Sequence, residues 1–486
     1  MKLHRSYFYS IIQGAIFILS LATDWYRPLV IILLATVLLS VLDKLGKGIV
    51  LRELISLHGC FVCLGMPALG YFLYNRTDYL ARIWLKYMPI QENVYFSFAL
   101  PAMAGFVFAI SWPFTKKENS DEGVYISNLI NKVKSILAEE SMKNKGLYLL
   151  IVGIVAYFIS SFLPDTFRFV SILLFFSSFA GVLYLYFSPS FAYKIPIILL
   201  FTLFIVANAL RSGMFTIVAY MSITIISFLF IGNKIQFWKK IILFSLGTFI
   251  LILIQSVKPA YRDYTWRNQF EGNRAYLFVN LLGEKLRSGN LFSQDEFFWI
   301  YYRTNQGFNV ALVMRRIPLV QPYDGGVNLL RSAASSVVPR FLWPDKPEAG
   351  GKFNMKYYAG VTLKGWSTNI GPLGEAYGSF GATGGIIFML CLGIFIRWAY
   401  KILFVIAKGT PLIICWLPVL FYQVTYSAET DTLQILNSLF KSAFFVWLLF
   451  KFFPSFFGKV KENVVQNPPL GLQGDPYSAT GFRNVN

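Results

Sequence analysis

The chain has 486 residues, 56% of them hydrophobic, 18% aromatic and only 14% charged, with a formal net charge of +20. That balance excludes an ordinary soluble domain of this length and is the composition of an all-α polytopic integral membrane protein. The surplus of cations then needs either a topological cause or an anionic ligand at the membrane surface.

Runs of about 17 to 25 apolar residues are long enough to cross a hydrocarbon core ~30 Å thick as helices. About twelve such runs are present, with cores near 7–22, 28–43, 50–74, 95–114, 147–163, 169–188, 195–210, 213–232, 241–257, 376–396, 410–427 and 434–454. The first follows a short basic lead, Lys2 and Arg5, with no small-x-small site after it, so it is read as a retained helix and not as a cleaved signal. With both termini in the cytoplasm, 22 Lys and Arg fall in cytoplasmic tails and loops and 6 in the short loops opposite, the bias that positive-inside insertion produces. The expected layout is spans one to nine in residues 1–256, a long extracytoplasmic loop at 257–372, spans ten to twelve at 373–455 and a disordered cytoplasmic tail at 456–486.

In the third span Cys60 and Cys63 form a C-x-x-C on one helix face without further thiol or His ligands, which reads as a pair of small buried residues. His58 in the same span and Lys441 in the last are the polar features that a transport path would use. The cytoplasmic segment 115–146 repeats Val124, Ile126, Leu129, Ile130, Val133, Ile136 and Leu137 at helical spacing, beside Lys132, Lys134, Lys143 and Lys145. It predicts either a helix on the inner membrane face or a plain connector helix.

In the long loop, "RAYLFVNLLGEKLRSG" and "SQDEFFWIYYRTNQGFNVALVMRRIP" are aromatic and amphipathic and predict helices lying flat on the outer surface. Gly and Pro then mark an irregular stretch through "LWPDKPEAGGKF". The loop holds 15 Lys and Arg against 8 Asp and Glu, a net charge of +7. A basic surface facing away from the cytoplasm is not a topological signal; an anionic ligand explains it better.

Arg211, in the tight turn "NALRSGMF", is either an interfacial Arg that reaches the headgroups or a phosphate contact. The loop adds Arg262, Arg267, Arg303, Arg331 and Arg340, whose planar forks suit phosphate oxygens. Whether they converge is open, and each has a solvated or ion-paired alternative. Tyr261, Tyr264, Trp266, Trp343 and Trp366 either line a sugar cleft or anchor the loop at the interface. The loop has no His, so carboxylates must supply any base: Asp345, Glu375 at the start of span ten, and Glu429 with Asp431 in "YSAETDTL". For Glu375 a structural ion pair is equally open. With no metal-binding motif outside the membrane and no P-loop, neither a metal, a cofactor nor ATP hydrolysis is expected.

The P-R-x-x-W-P-x-K-P run (Pro339, Arg340, Trp343, Pro344, Lys346, Pro347) is followed by a short polar segment with Thr368 and Asn369. After it comes G-x-x-G-E-A-Y-x-x-F-G, which spans Gly371, Gly374, Glu375, Ala376, Tyr377, Phe380 and Gly381. Together with the layout of spans and an Arg at an earlier outer turn, this resembles the late periplasmic loop of Wzy-type O-antigen polymerases, also called oligosaccharide repeat unit polymerases. The resemblance implies a metal-independent glycosyltransferase of the bacterial inner membrane with its active face in the periplasm. Its donor and acceptor would be glycans linked to undecaprenyl pyrophosphate among the membrane lipids, and it would work beside a flippase and a chain-length regulator, with no nucleic acid. It assigns Arg211 and Arg340 to the pyrophosphate, Glu375 or Asp345 to the acceptor hydroxyl, and substrate binding to Arg262, Arg267, Arg303, Arg331, Lys346, Trp343, Asn369 and Tyr377.

O-antigen ligases have a similar architecture but look to a loop His as well as Arg, so a loop without His favours the polymerase. A lipid-to-protein glycosyltransferase would need an acidic motif in the first outer loop, where "TDWYR" supplies one Asp. A flippase for the same glycans would need polar residues along a central path, whereas the unusual residues here concentrate outside the spans.

Overall fold

The computed structural model describes residues 5–74, 88–114, 122–189, 191–212, 224–225, 227–233, 235–267, 270–289, 293–338, 342–364 and 367–458. Its apolar runs become antiparallel helices: α1 (Arg5–Ala22), α2 (Tyr26–Lys44), then α3 (Leu51–Cys60) and α4 (Met66–Leu73), joined by a π-helical turn at Phe61–Gly65. Next come α5 (Glu92–Ser111), α6 (Glu122–Leu137), α7 (Lys145–Ile159), α8 (Asp165–Phe187), α9 (Lys194–Ser212) and α10 (Phe237–Arg262). Five short helices follow at one end of the bundle, the loop end: α11 (Arg274–Arg287), α12 (Gln294–Thr304), α13 (Gly307–Arg316), α14 (Val327–Val337) and α15 (Gly351–Tyr357). The chain then returns through α16 (Gly371–Ile406) and α17 (Thr432–Phe452).

Among the described residues there is no strand, and nine segments are long and apolar enough to cross a membrane, with Tyr7–Ala22 and Lys194–Leu210 as two shorter apolar helices. Side chains such as Ile31 (66% exposed) and Leu200 (69%) cover the outward surfaces of these helices, which suits hydrocarbon and not water. The expected eighth span, 213–232, lies largely outside the described residues.

Helix α5 is the centre of the bundle, buried along nearly its whole length and packed between α16 and α1. Helices α7 and α8 approach through glycines: a Cβ on Gly181 would stand 2.7 Å from the Gly146 carbonyl. Small residues allow this close contact, which dispersion then stabilises where lipid offers no hydrophobic driving force.

Three elements differ from expectation. The eleventh span is not one helix. Pro411–Glu429 passes through a 3-10 turn (Pro411–Trp416), one α-turn (Leu417–Leu420) and a second 3-10 turn (Val424–Glu429). Hydropathy reads burial and not backbone continuity, and irregular backbone survives at this depth because protein surrounds it: Ile414, Trp416 and Val424 are fully buried. Secondly, "SQDEFFWIYYRTNQGFNVALVMRRIP" does not lie flat. It breaks at Asn305–Gln306, and α13 inserts into the core, with Val310, Ala311 and Val313 fully buried. Thirdly, the apolar face of α6 (Ile126, Ile130, Val133) packs on Pro411–Trp416 and α8, so α6 is a connector held by protein. By contrast α11 buries no residue and rests against α10 and α9, as a surface helix should. The ordered chain also runs past 456, because Phe457 stacks on Trp416 at 5.3 Å; the rest of the expected tail, 459–486, lies outside the described residues.

At the end opposite the loop, a buried ionic cluster anchors α6. Arg52 (1% exposed) pairs with Glu122, the first residue of α6, and donates to the Trp112 carbonyl at 3.1 Å. Glu53 (1% exposed) accepts from Lys44 at 2.5 Å. Arg397 closes the group by donating to the carbonyls of Trp112 and Pro113, each at 2.7 Å.

Candidate functional site

Four interruptions of regular backbone meet at the loop end. The first is the π-turn Phe61–Gly65, whose wide pitch leaves carbonyls to partners outside the helix: Val62 accepts from the Gln306 N–H at 3.1 Å and Cys63 from the Tyr95 hydroxyl at 2.6 Å. The second is the Asn305–Gln306 break itself. The Gln306 side chain donates to the Asn369 carbonyl at 2.7 Å, and Asn309 donates to the same carbonyl at 2.8 Å.

The third interruption is the turn into α16. Gly371 has φ +71, and a Cβ there would collide with the Ala428 carbonyl, so this position requires glycine. Pro372 then opens the helix, where its missing N–H costs nothing. A second left-handed glycine inside α16, Gly381 (φ +70), kinks it and sets off a short buried arm that carries Glu375. The fourth interruption is the turn from Glu429 to α17. Asp431 caps that helix by accepting from the Gln434 N–H at 2.5 Å, and also accepts from the Gly350 N–H at 2.7 Å and the Asn369 amide at 3.0 Å.

Glu375 is 2% exposed, and both its oxygens are occupied. It accepts from Asn354 at 2.8 Å, from the Thr432 N–H at 2.8 Å and from the Thr432 hydroxyl at 2.5 Å. This carboxylate joins α15, α16 and α17 and has no edge turned to a ligand. Asp345 is exposed on the 342–350 turn, and none of these bonds reaches it. The accessible carboxylate beside the junction is Glu429, 44% exposed, with its Oε1 3.1 Å from Nε2 of His58 on α3.

Cations converge on the same place. Lys258 and Arg262, one turn apart on α10, lie within electrostatic reach of Arg303 at the end of α12, and Lys258 also of Glu429. Lys258 and Arg262 are half-buried and Arg303 is exposed. Tyr261 donates to the Leu210 carbonyl, which brings the backbone at Arg211 beside this turn; the side chains of Arg211, Arg267 and Trp266 lie outside the described part, as do residues Arg340 and Trp366. The site therefore combines at least three cations with a His–carboxylate pair reachable from solvent. That is a chemistry for holding an oxyanion beside a group that accepts a proton.

The remaining expected residues sit elsewhere. Arg331 on α14 stacks over the Trp343 ring at 5.8 Å, and Lys346 donates to the Ser335 and Val338 carbonyls at 2.9 and 2.8 Å, closing the C-terminal end of α14. Tyr377 packs edge-on between Phe98 (5.0 Å) and Tyr323 (6.0 Å). Asn369 is in the junction, though as a backbone-bracing residue. Lys258 was missed, yet "KPAYR" places it four residues before Arg262 and so on one helix face. His58 was noticed but assigned to a transport path. Among the described residues no group of three or more His, Cys, Asp or Glu could hold a metal ion.

Burial raises the pKa of Asp431 above its ordinary value of ~3.9. A group whose folded pKa exceeds its unfolded one stabilises the fold fully below the unfolded value, and that contribution is lost as pH rises through the folded pKa. The melting temperature in detergent should therefore fall more steeply for wild type than for Asp431→Asn as pH rises above about 4. Parallel slopes would show that the Asp431 carboxyl is not under this strain.

Comparison with known proteins finds one family model, described as Domain of unknown function (DUF8712), over residues 122–456, which takes in the chain from α6 to the end of the described bundle. No curated protein and no solved structure matches.

Proposed function

We propose that this chain, which belongs to the family described as Domain of unknown function (DUF8712), joins oligosaccharide repeat units carried on undecaprenyl pyrophosphate into a surface polysaccharide, with its loop end facing the bacterial periplasm. The observation that carries this reading is the grouping of Lys258 with Arg262 and Arg303, in which Lys258 reaches the accessible Glu429 of the Glu429–His58 pair. In the step we propose, an acceptor sugar hydroxyl attacks the anomeric carbon of the donor chain. The bond from that carbon to the pyrophosphate breaks, the lipid pyrophosphate leaves with both bonding electrons, and the hydroxyl proton passes to Glu429. Fixed cations aimed at the leaving group stabilise the charge that develops on it. Glu429 takes the role first expected of Glu375 or Asp345, because Glu375 is fully bonded and Asp345 lies apart.

A second reading has a specific observation in its favour. The loop has no His, which separated the chain from O-antigen ligases, but His58 reaches the same junction from α3. The two readings and a flippase separate on a gel of surface polysaccharide from a deletion strain. A ladder restored by wild type and reduced to single repeat units by Arg303→Ala supports polymerisation. Polymer left on its lipid carrier in the mutant means a ligase, and repeat units trapped in the cytoplasm mean a flippase.

A further inference from the structure

Helix α14 is built inside out for a helix in water. Val327, Leu330, Ala334 and Val337 recur at intervals of three and four and form its exposed stripe, with Val327 66%, Leu330 74% and Val337 64% exposed. Its buried side carries Ser335 (0%) and Ser336 (4%) beside Leu329. A water-facing amphipathic helix turns its apolar stripe inward. The inversion extends beyond the helix, because Leu319 (84%), Val320 (71%) and Leu342 (68%) on the flanking turns are exposed as well.

The surroundings of α14 identify what covers this face. The helix packs along α17 and touches α16, and Gly326 at its start sits against the Phe380 ring. Both neighbours also carry outward apolar side chains: Ile387 and Ile394 on α16, Phe440 and Phe444 on α17. The one charge on α14, Arg331, has its guanidinium over Trp343, the arrangement of an interfacial pair that keeps its cation at headgroup level. A patch this size facing water would be an aggregation surface.

We infer that α14 lies within the hydrocarbon of the leaflet at the loop end, its exposed stripe covered by acyl chains and continuous with the lipid-facing surfaces of α16 and α17. The helix Val327–Val337 is thereby a part of the long loop that dips into the bilayer.

The test uses the full chain carrying Cys391→Ser, since Cys391 is exposed and Cys60, Cys63 and Cys415 are buried. A nitroxide label is placed at Leu330→Cys in vesicles of phosphatidylethanolamine and phosphatidylglycerol, with Ile387→Cys as the lipid reference and Lys352→Cys as the water reference. Collision with oxygen should exceed collision with a nickel chelate at 330 as it does at 387, and the order should reverse at 352. Chelate access at 330 equal to that at 352 would place the stripe in water, and exclusion of both reagents would mean that protein covers it; either result overturns the inference. Should Leu330→Cys fail to fold, Val337→Cys reads the same face.

Discussion

Replacing Arg52 with methionine should cost about 3–5 kcal/mol, because it removes the cation from a buried ionic cluster and leaves its acids behind. In the native protein Arg52 neutralises Glu122, braces the Trp112 carbonyl and lies over the Tyr400 ring at 4.8 Å and the Phe114 ring at 5.4 Å. Without it the cation left in an ion pair with Glu122 among the described residues is Lys44 at 3.9 Å, which is already bonded to Glu53. The loss is a large part of the ~5–15 kcal/mol that separates folded from unfolded states of typical domains. The melting temperature in detergent should drop sharply, and Arg52→Met with Glu122→Gln should recover part of it, because the penalty is that of an uncompensated buried charge. An unchanged melting temperature in the single mutant would show that the cluster does not hold α6 in place.

The second large effect is on rate. Arg262→Ala and Arg303→Ala should each slow transfer by about 10²–10³-fold, the usual cost of deleting one fixed donor aimed at developing charge. Arg287→Ala, an exposed cation on α11, should leave the rate near wild type. The rate is measured with purified protein in vesicles at saturating lipid-linked substrate, and melting temperature serves as the control for folding. Equal losses at all three positions would reduce the cationic site to a general attraction for anionic lipid.

Most helices were legible because a run of apolar residues long enough to cross hydrocarbon has few other structures open to it. The breaks between helices were not. Pro411–Glu429 reads as an ordinary span, and nothing in "CFVCLG" marks a π-turn, since both are set by what packs around them. The junction was hidden for the same reason: Asn369 stood out only as part of a motif, and Gln306 and Asn309 are ordinary amides until a bent backbone brings the Asn369 carbonyl to both of them. Glu375 was found, because an acid at the head of an apolar run demands a partner, but its partners Asn354 and Thr432 come from segments 21 and 57 residues away. The expected cations divided: Arg262 and Arg303 met, with Lys258 between them in reach, whereas Arg331 and Lys346 were drawn into α14 and its C-terminal turn.

The most direct test of glycan polymerisation is to incubate the purified wild-type chain, alone in vesicles, with a defined repeat unit on undecaprenyl pyrophosphate and to follow the products by mass spectrometry. The proposed activity predicts a ladder of whole repeat units on the lipid carrier, with one lipid pyrophosphate released for each linkage formed. Repeat units that cross the vesicle membrane unchanged in length would contradict it.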